Sequence, residues 1–287
     1  MNVSVQQKNG PDDQCSPINL ATSDASAEWN PRLVSSVKSK PVRFARRLAR
    51  QLIEPGLRNE PHRVEWIRRI LLNIPTGASI LDAGCGEQQF RTFCSHLRYT
   101  GQDFAQYDGV GDSRGLQTGS WDQTRLDIVS DIVSIPCPAG SFEAIMCTEV
   151  FEHIPDPIAA VKEFSRLIKP GGYLVLTAPF CSLSHFTPYH FQTGFNRYWY
   201  EHHLPAHGFA IEELETNGNF FEYLAQELVR LPSVAFDSTS KSAGALTWAA
   251  FAFFGLPLIQ LMGFLGRRDQ KSSNLLCFGY HVLARKL

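Results

Sequence analysis

The chain has almost no net charge: 27 basic side chains against 28 acidic ones leave −1 over 287 residues. No long-range field therefore draws the molecule as a whole to nucleic acid, and no nucleic-acid partner is expected. It also lacks any C-x-x-C pair. Its seven cysteines (Cys15, Cys85, Cys94, Cys137, Cys147, Cys181, Cys277) are scattered and odd in number, which fits neither a zinc ribbon nor a disulfide framework, so reduced and mostly buried thiols are expected. The opening MNVSVQQKNGPDDQ lacks the charged and apolar regions of a secretory signal, and a cytoplasmic compartment is expected. No internal repeat is visible. What the chain does have is apolar side chains, 44% of the total, enough for one large α/β core.

Residues 1–30 are polar and are expected to form a disordered tail. A basic amphipathic segment follows over 31–61, where PVRFARRLARQLIEP places Val42, Ala45, Leu48 and Leu52 at helical spacing with arginines on the other faces. From residue 62 to the end the pattern is that of a doubly wound, mostly parallel α/β sheet. Its elements are a helix (HRVEWIRRILLNI), a strand (SILDA), a helix over 88–97 and a strand (YTGQDF). After a polar loop come strands at LDIVS and FEAIMC, a helix (IAAVKEFSRLI), a KPGG turn and a strand (YLVLTA). Ligands of such sheets sit at the carboxyl ends of the strands.

SILDAGCGEQQF lies at the first such end. Asp82 closes the strand, and Gly84 and Gly86 allow a tight turn whose backbone N–H groups are expected to face a ligand. A dinucleotide fingerprint needs a third glycine where Gln89 stands, which disfavours an NAD(P)-dependent oxidoreductase. Asp103 ends the second strand, where a carboxylate can accept from both hydroxyls of a ribose. Asp131, just past the third strand, can accept from an adenine amino group while the Ile132 N–H donates to the ring.

The stretches ILDAGCG, YTGQDF, SDIVSIPCPAGSFEAIMCTEVFEHIPDP and EFSRLIKPGGYLVLTAPF, in that order and spacing, resemble the class I S-adenosylmethionine (SAM) dependent methyltransferases over residues 62–215, and among them the type 11 methyltransferase domains. The resemblance implies a Rossmann-like, seven-stranded sheet and SAM as cofactor. It implies that the loop of Asp82, Ala83, Gly84, Cys85 and Gly86 holds the methionine end, that Asp103 and the adjoining Phe104 hold the ribose, and that Asp131 and Ile132 hold the adenine. Cys147, Thr148 and Glu149 match residues lining the wall near the sulfonium.

For catalysis the candidates are His153, whose near-neutral titration suits proton removal, and His185; the loop carrying His153 is also a packing loop in the resembling family. Tyr189 and His190 are expected to line the acceptor pocket beside His185. In EHHLPAH, Pro205 interrupts the turn that would bring His203 and His207 together, so no metal is expected.

Residues 217–273 form an insertion before the last strand, and its 243–265 run, AGALTWAAFAFFGLPLIQLMGFL, carries no charge. The strands expected at FAIEELE and CFGYHVLARK must pair on one side of any bilayer, and Gly255 and Pro257 divide the run, so a helical hairpin is expected rather than a span. Three roles are open to it: a lid, a contact between two protomers, or, with the basic 42–53 segment, a peripheral membrane contact. The acceptor is expected to be a small molecule, lipid-linked molecule or glycan. A non-catalytic SAM-binding or membrane-surface protein with the same fold is the alternative from another class.

Overall fold

The computed structural model describes residues 50–287. The expected tail over 1–30 and most of the basic segment over 31–61 lie outside the described residues; Arg50–Ile53 of that segment are helical and lead into a 3-10 turn, Glu54–Leu57.

Seven strands form one sheet in the order β3-β2-β1-β4-β5-β7-β6. They are β1 (Ser79–Ala83), β2 (Arg98–Asp103), β3 (Ile128–Val129), β4 (Phe142–Thr148), β5 (Ile168–Pro179), β6 (Phe209–Asn217) and β7 (Gly279–Lys286). All neighbouring pairs are parallel except those made by β7, which runs antiparallel between β5 and β6. Every residue of β1 is buried. A central parallel strand has both faces covered, which is why its sequence is apolar without alternation.

The covering helices follow from apolar stripes at helical spacing. Helix α1 (Asn59–Asn73) buries Trp66, Ile67, Ile70 and Leu71 against one face. Helix α2 (Pro157–Leu167) buries Ala160, Val161, Phe164 and Leu167 against the other. It starts where it does because the Asp156 carboxylate accepts the Ala159 N–H at 2.9 Å and Pro157 occupies the first turn. Helix α3 (Arg197–Ala206) lies on the same side, capped by Asn196.

The structure corrects three local expectations. The helix expected over 88–97 is a series of turns with a 3-10 turn at Arg91–Cys94. Gln88 adopts φ 61°, outside the helical region, while its buried side chain donates to the Arg125 carbonyl at 2.6 Å; a tertiary anchor overrides local propensity. KPGG does not end an element: β5 runs through it, with a register shift opposite Phe142 and Ala144 and Gly171 at φ 77°.

The third correction concerns the apolar run. Between β6 and β7 the chain makes α4 (Phe220–Ser238), then α5 (Lys241–Ala250), a π-helical turn (Phe251–Gly255) and α6 (Leu256–Gly266). The last three are one continuous helix of 26 residues, so the run does not fold back at Gly255 and Pro257. Proline has no N–H to give to the preceding turn, and a wide π turn absorbs that defect without reversing the chain. The fold-back is between α4 and this long helix, which pack together. Gly244 lies against Phe236 of α4, and Gly263 lies against Pro55. As expected, β6 and β7 are adjacent.

Candidate functional site

The carboxyl ends of β1, β2, β4 and β5 open into one cavity of about 1000 Å³. That volume is at the upper end for ligand pockets and has room for a cofactor and a second molecule. Asp82, Gly84, Cys85, Gly86, Asp103, Phe104, Asp131, Ile132, Thr148 and Glu149 all line it, as do His153, His185 and Tyr189. Ala83 does not; it is fully buried in the core under β1, because successive side chains of a strand face opposite ways. Cys147 is likewise buried in the core. His190 stands behind the lining, its ring centroid 4.9 Å from that of His185.

The glycine turn differs from its expected use. Its N–H groups do not point at the cavity: Gly84 and Cys85 donate to the Gln102 carbonyl at 2.9 Å each, and Gly86 donates to Asp103 Oδ2 at 3.0 Å. The turn instead ties β1 to β2 and, lacking side chains, lets Val150 and Trp121 approach it closely. At Gly84 (φ 72°) an added Cβ would stand 2.7 Å from the Val150 methyls, and at Gly86 (φ 49°) 2.5 Å from the Trp121 ring.

Asp103 is held on both oxygens, Oδ2 by Gly86 and Oδ1 by the Ala105 N–H at 3.0 Å. Each carboxylate oxygen keeps a free lone pair, so a ribose meets an acceptor whose orientation is already set. Asp82 accepts from the Tyr99 hydroxyl at 2.6 Å. Burial pushes its pKa up to about 7, opposed by the Tyr99 hydrogen bond and reinforced by the nearby Asp103 charge. Asp131 is exposed and its Oδ1 accepts the Val133 N–H at 3.1 Å, so it caps its own turn as well as edging the cavity.

On the opposite wall Glu149, at φ 54°, accepts from Thr177 at 2.9 Å and pairs with Arg63 at 3.0 Å. His153 is mostly buried, and its Nδ1 lies 2.6 Å from the Tyr189 carbonyl. Burial, with His185 and His190 close by, drives its pKa down to about 3 despite that carbonyl. Burial thus works against the near-neutral titration that the sequence suggested for it.

Sequence reasoning missed Arg63, Trp121, Phe186, Gln226 and Arg230, which also line the cavity. Trp121 was findable from composition, a large aromatic that shares a polar loop with Tyr107. The others lie on helices or loops whose approach to the sheet no spacing announces. In EHHLPAH, His207 Nδ1 lies 2.8 Å from the His203 carbonyl, so that pair is engaged through the backbone.

A family model described as a methyltransferase domain matches residues 44–238, more than half of the chain. The chain belongs to the SAM-dependent methyltransferases. Among curated relatives, the ubiquinone biosynthesis O-methyltransferase of Xanthomonas axonopodis pv. citri (strain 306) is 35% identical over 120 residues, 41% of this chain and 48% of that protein. The protein with the same description from Xanthomonas oryzae pv. oryzae (strain PXO99A) is 36% identical over 104 residues, 35% and 43% of the two chains. The chain thus spans about half the length of the curated relatives it matches. Solved structures of similar fold include a SAM dependent methyltransferase from Archaeoglobus fulgidus, 16% identical with a TM-score of 0.48 over 78% of this chain and 92% of that one. Another is phosphoethanolamine N-methyltransferase 2 of Haemonchus contortus in complex with S-adenosyl-L-methionine, 18% identical, TM-score 0.40, over 74% and 49%.

The cavity of this methyltransferase fits its cofactor. Gly84 and Gly86 line the cavity where any side chain would collide with Val150 or Trp121, and the oriented Asp103 carboxylate suits a vicinal diol. Because SAM carries no pyrophosphate, the turn has no need to offer it N–H groups.

Proposed function

We propose that this methyltransferase transfers the methyl group of SAM to an oxygen of an apolar small molecule that it meets at a lipid surface. The observation that carries the first half is the convergence of Asp82, Asp103 and Asp131 on one cavity. Asp103 holds the ribose hydroxyls, Asp131 and the Ile132 N–H hold the adenine, and the space beside Gly84 and Gly86 takes the methionine end. Trp121 covers that space. SAM supplies an already activated sulfonium methyl, so alignment of the acceptor can furnish much of the rate. The acceptor then enters beside Leu183, His185, Phe186 and Tyr189.

The second half rests on the long helix Lys241–Gly266. It is about 39 Å long at 1.5 Å per residue, and 22% of its most apolar window is buried. Leu246, Phe253 and Phe254 are each about 70% exposed or more. Lys241 begins it, and Arg267, Arg268 and Lys271 follow its end. An apolar face flanked by basic residues suits a helix lying in the plane of an anionic membrane surface. A span is disfavoured because its partner α4 carries Glu222, Glu227, Arg230 and Asp237. The relatives named for ubiquinone biosynthesis O-methylation favour an oxygen acceptor of lipid character.

Incubation with methyl-labelled SAM and fractionated cell extract tests the reading. Base-stable label in the organic phase is expected. Label confined to protein or to polar metabolites would overturn the acceptor class while leaving the cofactor assignment, which titration with S-adenosylhomocysteine checks separately.

A further inference from the structure

The loop after β5 and the 3-10 turn after β4 (Phe151–His153) bring together a group of side chains that has no part in holding the cofactor as described. One ligand atom from each of His153, His185 and His190 lies within 4.8 Å of the others. Glu152 stands beneath them, 1% exposed, with Oε1 at 3.7 Å from His153 Nε2 and 3.8 Å from His185 Nε2. The loop is fastened there by its backbone, since the Phe191 and Gln192 N–H groups donate to the Glu152 carbonyl at 2.8 and 3.2 Å.

Hydrogen bonding sets which nitrogens face the centre. His153 Nδ1 lies 2.6 Å from the Tyr189 carbonyl and His185 Nδ1 lies 2.8 Å from the Leu183 carbonyl. A carbonyl only accepts, so in both rings Nδ1 carries the proton and Nε2 presents a lone pair. Both lone pairs face Glu152 Oε1 at distances too long for a hydrogen bond, so neither is satisfied by it. Glu152 Oε2 and both nitrogens of His190 are buried without a hydrogen-bond partner. The cations of the neighbouring elements are committed elsewhere, Arg63 to Glu149 and Arg230 to Glu227. Such a convergence of unpaired polar atoms is costly as it stands, and a cation at their centre would take one lone pair from each of the three rings and one from Glu152.

We propose that His153, His185, His190 and Glu152 form a binding site for one divalent cation of the zinc class. Three imidazoles and one carboxylate suit zinc, cobalt or ferrous iron, whereas magnesium and calcium prefer all-oxygen sites. The backbone carbonyls behind His153 and His185 are the outer partners that fix ring orientation in histidine metal sites. Closing ligand atoms from within 4.8 Å to the edges of a zinc tetrahedron, about 3.3 Å, needs only side-chain adjustment. Glu152, His153 and His185 line the cavity, so the ion faces the acceptor space, where an acceptor oxygen can join its coordination shell. The site joins the loop after β5 to the turn after β4 and is independent of the cofactor wall.

The test uses the full chain without an affinity tag, stripped with chelator, titrated with zinc sulfate and, separately, with cobalt(II) chloride. Wild type is expected to take up one zinc per chain at this site and to give the strong visible bands of four-coordinate cobalt. H185A combined with H190A is expected to lose those bands and at least a hundredfold in zinc affinity. H203A controls for the histidines of α3 and is expected to keep the bands. S-adenosylhomocysteine titrated into the same samples reports on folding and on the cofactor reading. Absence of zinc uptake in wild type, or uptake of equal affinity in the double variant, would overturn the site, whatever the outcome for the nucleoside.

Discussion

The two walls of the cavity are built in opposite ways. On the strand-tip wall the polar atoms are engaged before any ligand arrives: Asp103 by Gly86 and Ala105, Asp82 by Tyr99, and Gln102 Nε2 by the Ser130 carbonyl at 2.7 Å. On the facing wall Glu152 Oε2 and both His190 nitrogens are buried and unpaired. The first wall is preorganised and the second is completed by what binds. Binding to an oriented acceptor loses little to reorganisation, which suits a cofactor used in every turnover. An incomplete wall suits the part of the site that differs from one methyltransferase to another.

The sharpest way to break this contrast is to fill the cofactor wall. Gly86→Val forces a branched side chain to φ 49° and into the Trp121 ring, and it should abolish S-adenosylhomocysteine binding by titration calorimetry while the sheet remains folded by circular dichroism. Retained affinity would mean that the turn does not border the ligand.

Asp82 provides the next largest effect, in stability rather than binding. Its folded pKa of about 7 lies above that of an unfolded aspartate, so its contribution is most favourable below pH 4 and is lost as pH rises to 7. Asp82→Asn should remove that fall, worth on the order of 4 kcal/mol at about 1.4 kcal/mol per pH unit. Chemical denaturation of cofactor-free wild type and variant at pH 5 and pH 8 spans about two of those units, so the gain should be larger at pH 8 than at pH 5 by about 3 kcal/mol. His153 and His281, both with pKa values lowered to about 3 by burial, act in the opposite sense, losing stability as pH falls from 6.5 through 3. They act equally on wild type and on Asp82→Asn, and so cancel when the two are compared at one pH.

Asp103→Ala removes one charge-assisted acceptor and should weaken S-adenosylhomocysteine by about 1.5–3 kcal/mol. Smaller still for the cofactor is a change on the long helix. Replacing Phe253 and Phe254 by serine should leave nucleoside affinity unchanged and reduce flotation with anionic vesicles, because each exposed ring contributes on the order of 2 kcal/mol when it enters an apolar phase. If both quantities fall together, the helix belongs to the structure of the cavity and not to a surface contact.

The same division explains what the sequence disclosed. The cofactor wall is local: each strand end and the two or three residues after it are contiguous, so Asp82, Gly84, Gly86 and Asp103 could be placed by reading along the chain, while Thr148 came from the family resemblance. The facing wall is assembled from distant pieces. His153 and His185 are 32 positions apart, and only the path of the loop after β5 makes them neighbours, whereas EHHLPAH looked more like a ligand set because its histidines are close in sequence. Periodicity misled where a single tertiary contact decided conformation, as with Gln88. It also misled in the apolar run, where Gly255 and Pro257 read as a break but a π turn carried the helix through. Arg63, Gln226 and Arg230 were invisible because nothing in their neighbours' spacing points to the cavity.

The central claim is that the carboxyl tips of β1 and β2 and the turn after β3 hold one adenosyl group. A crystal grown with S-adenosylhomocysteine at saturating concentration tests it most directly. The ribose hydroxyls should lie within hydrogen-bonding distance of both Asp103 oxygens, with the adenine beside Asp131 and Ile132. Nucleoside density elsewhere on the molecule, or none in this cavity, would contradict the account.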